Sequence, residues 1–463
     1  GDNPWPMHLH SLILYGMLIF VAAVLYRRFL PSPWAAGLAA IIFAMDSGHA
    51  IPVAWLSMRN ALLTAFFGLL VLYAHDRWRH ASVSTGLVKA WFPHGLPALL
   101  CLALGLLGGE SAVAVGGFLF AYALFLDPAT RKTAHCTLLK RYVPGIMAIL
   151  PYLVVVVIWR GIYTGLGYGT EGSGLYIDPV ANPVEFLQQL PAHMAVLLLG
   201  LFALPDAGLW GLMPAPLNHI HLTLALAFVV FAAWISYPTL RHRAEARFLL
   251  LGVILSIVPA CATMPMDRLM TFSSFGALGL VALILCDIRE NLQLYGCRPK
   301  LAIRGFTALL ILAHLLVAPL GLATGTQHLA MMNRILTNSN PSIPRDLPDS
   351  TRIVALNIPI DLLGASLPIH RSAEGQPVLD HWWWLYAGVQ EITVERPDAR
   401  TLILRPDKGY NLPLWSEIFR LPKTDPMAAD DHVDLSGVSI TVNSVSADGR
   451  PLEVQFIFDV ALE

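Results

Sequence analysis

F-A-M-D-S-G-H-A-I-P-V-A-W-L-S-M-R, residues 43–59, begins as the end of an apolar segment and then sets an aspartate, a histidine, a proline, a tryptophan and an arginine within fourteen positions. A helix that ends this way is leaving an apolar medium for a polar one. Composition identifies the medium. The chain has 463 residues, 56% of them hydrophobic and only 13% charged, about half the charge of an ordinary soluble domain. Apolar stretches near 9–26, 33–45, 60–74, 96–108, 112–126, 142–159, 219–237, 248–260, 269–286 and 305–322 approach the roughly 20 residues that cross a bilayer. Residues 43–59 close the second of ten expected spans.

Charge then orients the spans. Arg27, Arg28, Arg77, Arg79, Lys89, Arg131, Lys132, Lys140, Arg141, Arg241, Arg243, Arg247, Arg289, Arg298, Lys300 and Arg304 fall in loops on one side, whereas Arg59, Arg160 and Arg268 fall on the other. The positive-inside rule makes the second side the outer one. This arrangement requires that the short apolar run 195–204 not cross, because a crossing would put the Arg241 to Arg247 cluster outside. A re-entrant or surface-lying segment is therefore expected between Pro191 and Pro205, beside a cavity that tolerates its backbone.

The formal net charge of −1 hides an asymmetry: residues 1–323 carry net +6 and residues 324–463 net −7. The second region loses the long apolar runs. It shows short β-rich stretches, TRIVALNIP, QEITVERP, ARTLILRP, VSITVNSV and LEVQFIFDV, separated by turn signals such as PDKG and ADGR. The expected architecture is an α-helical polytopic membrane domain over 1–323 and a small β-rich domain over 324–463 outside the inner face. All five cysteines (Cys101, Cys136, Cys261, Cys286, Cys297) precede the second region, so no disulfide framework is implied there. By this topology Gly1 starts on the outer side, which leads us to expect an upstream span. The strand-like end FDVALE likewise suggests further C-terminal chain.

The outer side would hold eight acids, Asp2, Asp46, Glu110, Glu171, Asp178, Glu185, Asp206 and Asp267, against three arginines. Acids at membrane depth face a polar cavity or a partner. Asp46 and His49 are three apart and share one side if the helix continues that far. A boundary acid bonded to nearby backbone and a packed histidine would account for the same spacing. Glu110, in LLGGESAV, sits at a tight turn, where a solvated role competes with a chemical one. Arg268, in MPMDRLMTF, offers a guanidinium suited to a phosphate or carboxylate; an ion pair with Asp267 or interfacial anchoring would explain it equally. The loop GIYTGLGYGTEGSG, 161–174, contains the exposed-loop candidate Tyr168. Asp46 and His49 supply only two ligands, so no metal site is assigned and a divalent ion stays an open question. The cluster His381-Trp382-Trp383-Trp384 with Tyr386 reads as a glycan-stacking surface or as ordinary core.

Residues 43–63, F-A-M-D-S-G-H-A-I-P-V-A-W-L-S-M-R-N-A-L-L, resemble a segment of the GT-C class of membrane glycosyltransferases, nearest the protein O-mannosyltransferase-like branch that carries tetratricopeptide repeats in animals, and its bacterial relatives. Phe43, Ala44, His49, Val53, Ala54, Trp55, Arg59, Leu62 and Leu63 match its pattern. Gly108-Gly109-Glu110 stands where the family has Ser-Lys-Glu. Asp267-Arg268 with Ser273 to Gly276 stands where it has Glu-Arg followed by Ser-x-Gly. Asp46 replaces a family histidine, Ile51 a glutamate and Gly109 a lysine, and the family's catalytic acid lies upstream of Gly1.

The resemblance implies a GT-C-like fold; the sequence shows no eukaryotic features, which leads us to expect a bacterial inner membrane, with the C-terminal domain, by the charge topology, in the periplasm. The resemblance also implies inverting transfer of a sugar from a polyprenyl-phosphate donor to a glycan or protein acceptor. Arg59 and Arg268 would meet the phosphate, Tyr168 the substrate, and Asp46, His49 and Glu110 would shape or activate the site. The departures equally suit a catalytically silent relative serving as a scaffold or accessory subunit among other membrane subunits. Membrane lipid is an expected partner, and nucleic acid is not.

Overall fold

The computed structural model describes residues 4–132, 137–169, 175–296, 298–339, 343–344, 347–348, 351–377, 379, 381–410, 420 and 425–463. Asp2, Glu171, Cys136, Cys297 and residues 170–174 of the glycine-rich loop lie outside these, as do the side chains of Arg131, Lys132 and Lys140. Two compact units result, one holding the described residues of 4–169 and 177–328, the other those of 175–176 and 329–463.

The first unit is built from α1 (Trp5–Phe29), α2 (Pro33–Ala44), α3 (Leu56–Thr85), α4 (Trp91–Gly108), α5 (Glu110–Thr130), α6 (Arg141–Gly165), α7 (Pro183–Phe202), α8 (Pro216–His242), α9 (Ala244–Ala262), α10 (Ser274–Glu290) and α11 (Lys300–Gly325). Among the described residues nine helices are long and apolar enough to cross a membrane, or ten if α2 and the turn Ser47–Ala54 form one bent span. Their outward faces stay apolar. Phe20, Leu107, Val157, Ile158, Val230 and Leu320 are all more than half exposed, a pattern suited to lipid and costly in water.

Contacts assign these helices to two common ends. At one end Arg28 binds Asp76, Arg79 grips Asp127 through Nε at 2.6 Å and Nη2 at 3.3 Å, and Arg243 grips Asp287 at 3.3 and 2.7 Å. Tyr122 donates to Asp76 at 2.8 Å, Arg247 lies over Phe125, and Arg289 lies over Trp34. The ends of α1, α3, α5, α8 and α10 and the starts of α2 and α9 therefore meet here. Many of the arginines that oriented the chain are partnered at this basic end, where Asp76, Asp127 and Asp287 are buried.

Two helices differ from expectation. α7 is a continuous 20-residue helix that runs through Pro191, twice the length of the apolar run read from sequence, and by length and hydropathy it belongs to the nine. Yet contacts before, along and after it go to one segment, while the Phe202 carbonyl meets His314 of α11 at 3.1 Å. Before it, the Ile177 amide donates to the Ala262 carbonyl. Midway, His193 bonds the Cys261 carbonyl. After it, the Gly208 amide meets Asp267. All three partners belong to the 261–267 segment. α10 begins regularly only at Ser274, because Asp267–Met270 winds as a 3-10 turn; at 17 residues it spans about 25 Å.

The second unit contains β1 (Arg352–Ala355), α12 (Asp361–Ala373), β2 (His381–Trp384), β3 (Ile392–Glu395), β4 (Thr401–Pro406), β5 (His432–Leu435), β6 (Val438–Val445) and β7 (Pro451–Phe458). β1 and β2 pair in parallel; the other five form an antiparallel sheet in the order β3-β4-β7-β6-β5. Leu402, Leu404, Val454, Phe456 and Phe458 alternate inward against Leu385 and Tyr386. Gly409 and Gly449 close the PDKG and ADGR turns at φ 78° in both, the left-handed region glycine enters at least cost. The tryptophans are all half-buried: Trp382 donates to Gly364, Trp384 donates to Asp361, and Trp383 packs edge-on to Phe458 at 5.7 Å.

Candidate functional site at the acidic end

The opening stretch breaks rather than continuing as helix. α2 stops at Ala44, and Asp46 caps the following turn by accepting from the Gly48 amide at 3.2 Å through Oδ1. Short acidic side chains favour such local bonds over helix continuation. Residues 47–49 then form one 3-10 turn. In that geometry side chains three apart eclipse, which leaves Asp46 Oδ2 3.8 Å from His49 Nε2. The expected nearness of Asp46 and His49 is present, but a capped turn produces it and not a helix face.

His49 is fully buried. Its Nδ1 lies 3.1 Å from the Tyr15 hydroxyl and its Nε2 3.2 Å from Ser274 Oγ, while the ring packs edge-on to Phe43 at 4.8 Å. The Tyr15 hydroxyl also reaches the Ala44 carbonyl at 3.0 Å. The histidine thus ties α1, the α2 break and the start of α10 together. Asp46 keeps part of its carboxylate accessible.

Against this turn lies the 266–270 segment. Gly48 sits so close that a Cβ there would be 3.3 Å from the Asp267 carbonyl. The Asp267 carboxylate does not pair with Arg268; it accepts from the Gly208 amide at 3.4 Å. Gly200 makes room for it, since a Cβ there would lie 2.6 Å from Asp267 Oδ1. Burial, the nearby Asp206 carboxylate and, less strongly, Asp46 push Asp267 up to about 6, against the backbone amides of Ala207 and Gly208 that favour its charge.

Freed of Asp267, Arg268 directs Nη1 to the Met58 sulfur at 3.6 Å, and its buried Nε has no acceptor. Arg59, next to Met58, meets His10 Nδ1 at 3.2 Å through Nη1, and its buried Nε is likewise without an acceptor. Neither guanidinium has a carboxylate partner among the described residues. Asp46, Gly48, Asp267, Arg268, Met58 and Arg59 form one chain of neighbours at this end.

Glu110 and Tyr168 fall elsewhere. Glu110 is exposed at the start of α5, where Ser111 bonds Thr64 of α3 at 3.0 Å, and it acts electrostatically on Tyr163 of α6. Tyr168 is 63% exposed and continues a row of rings from Trp159 through Tyr163, with centroids 5.0 and 5.4 Å apart. Arg160 pairs with Asp178 beside this row at 3.1 Å. The six candidates therefore divide into an Asp46, His49, Arg59 and Arg268 group and a Glu110 and Tyr168 group.

Sequence reasoning missed Tyr15 and Met58, which carry no local signal. It also missed Gly321 and Gly325, whose four-residue spacing was readable. A Cβ at either would come within 2.8 Å of Ser47 or 2.6 Å of Ala50, so these glycines let α11 support the turn. Among the described residues no three His, Cys, Asp or Glu side chains converge as metal ligands. No family model, curated protein or solved structure matches the chain.

Proposed function

We propose that the acidic end is the donor site of a membrane glycosyltransferase that moves a sugar from a polyprenyl phosphate to an extracytoplasmic acceptor. The observation that carries the reading is the contrast between the two ends. Arg28, Arg79 and Arg243 have carboxylate partners at the basic end, whereas among the described residues Arg59 and Arg268, unlike Arg160 with Asp178, have none. A guanidinium with an unfilled donor is suited to a phosphate. In this reading these two arginines take the charge of the departing phosphate.

The transfer balances simply. Asp46 removes the acceptor hydroxyl proton, and the oxygen attacks the anomeric carbon. The bond from that carbon to the phosphate oxygen breaks, and the polyprenyl phosphate leaves with the electron pair. His49, sealed by Tyr15 and Ser274, positions the Asp46 turn and does not reach substrate. The apolar helix faces suit a donor whose tail lies in lipid while its head group meets the polar end.

His49 also supports the second reading, a catalytically silent scaffold, because its sealed ring leaves Asp46 without a partner that relays protons. A transfer assay separates the two. Full-length protein is supplied with radiolabelled polyprenyl-phosphate sugars and membrane extract, as wild type, Asp46→Asn and Arg268→Ala. The enzyme reading expects Asp46→Asn to lower turnover by about 10²–10⁴-fold, the usual scale of general-base loss, and Arg268→Ala to weaken donor use. Wild-type protein that is folded yet transfers from no donor, and co-purifies with an envelope partner, would establish the scaffold.

A further inference from the structure

At the basic end, a cavity of about 520 Å³ opens between α3, α4, α5 and α6, within the ~300–1,000 Å³ range of small-molecule sites. Trp78, Val83, Trp91, Pro144, Met147 and Pro151 make most of its wall. It exists because two walls are irregular. α4 opens with a π turn over Trp91–Gly95, and α6 carries Pro144 and Pro151 on either side of a break after Met147. Helices so distorted leave unfilled space, and π turns recur at functional positions.

The wall is largely apolar: Arg79 is engaged by Asp127 and Ser82 by the Arg79 carbonyl at 2.9 Å, while the buried Trp78 Nε1 has no acceptor. The opening is flanked by exposed apolar side chains, Phe92 at 70%, Met147 at 49% and Leu150 at 47%, so it faces the same surroundings as the helix exteriors. Two cations stand close by in sequence. Lys89 precedes Trp91 by two residues and Arg141 precedes Pro144 by three, and neither has a carboxylate partner among the described residues. An apolar slot with two cations within three residues of its wall, Arg141 lying over the Tyr142 ring, complements an acyl chain joined to a phosphate.

We propose that this cavity binds one acyl chain of an anionic phospholipid, with the phosphate at Lys89 and Arg141. This site is separate from the acidic end and does not depend on the transferase reading. The test uses full-length protein in vesicles of phosphatidylcholine and phosphatidylglycerol, with bromine on the acyl chains of one lipid or the other, read by tryptophan quenching. Quenching by brominated phosphatidylglycerol should reflect a roughly tenfold preference over phosphatidylcholine. Trp78→Phe/Trp91→Phe should remove the excess by deleting both reporters in the wall, and the double variant Lys89→Ala/Arg141→Ala should remove it while the protein stays folded. Equal quenching by both lipids, or an unchanged preference in the double variant, would overturn the proposal by reducing the cavity to ordinary lipid contact.

Discussion

Asp267 shows how far a residue's neighbours in space can overrule its neighbour in sequence. Beside Arg268 it reads as half of an ion pair, but its carboxylate turns to Gly208. No local pattern announces this, because the partner arrives from 59 residues upstream. Its folded value, about 6, lies above the ordinary 3.8, so the native protein holds this proton more tightly than the unfolded chain. The stabilisation is complete below the unfolded value and is lost as pH rises through about 6. Wild type should therefore lose thermal stability between pH 4 and pH 7 relative to Asp267→Asn; parallel stability profiles for the two would contradict the burial assigned to this carboxyl.

At the opposite end Arg79 and Asp127 form a buried bidentate pair, each 4% or less exposed in its side chain. Removing one partner leaves an uncompensated buried charge, which costs about 3–5 kcal/mol. Asp127→Leu alone should lower the unfolding temperature sharply, and Arg79→Met/Asp127→Leu should recover most of the loss. If the double variant is as unstable as the single one, the pair is not self-contained.

Among the elements, those marked by long apolar runs or strict alternation were legible, and those defined by tertiary contact were not. TRIVALNIP, QEITVERP, ARTLILRP, VSITVNSV and LEVQFIFDV all contain strands. β5, His432–Leu435, is exposed at every position, so no inward face marks it, and β2 hides in a run of tryptophans. α7 was read short because Pro191 resembles a boundary, whereas the structure carries the helix through it. The α2 break was visible as a change of chemistry at Asp46, but what supports it was not. That support comes from α11 through Gly321 and Gly325. Gly325→Val should force α11 off Ala50 and cost about 1–3 kcal/mol, the scale of overpacking, with a matching fall in unfolding temperature; Gly116→Ala, where a Cβ meets nothing, should cost far less. Equal effects would mean that the close approach of α11 has no structural weight.

For the whole molecule, the composition and the distribution of basic residues anticipated a helical body with two chemically distinct ends and a separate β-rich unit. The pairing of Arg28, Arg79 and Arg243 at one end, and the lack of a carboxylate partner for Arg59 and Arg268 among the described residues at the other, came only from coordinates, because each ion pair joins separate elements. The account rests on that polarity and on α7 returning to the end where it started. Cysteine labelling tests this most directly, in a background with the native cysteines replaced by serine. Val180→Cys and Leu209→Cys flank α7, and Arg289→Cys marks the basic end; all three positions are exposed. A membrane-impermeant maleimide should modify positions 180 and 209 from the same face of sealed vesicles and reach position 289 only after permeabilisation. Labelling of 209 from the face that exposes 289 would make α7 a crossing helix, separate Asp267 from Asp46, and contradict the account.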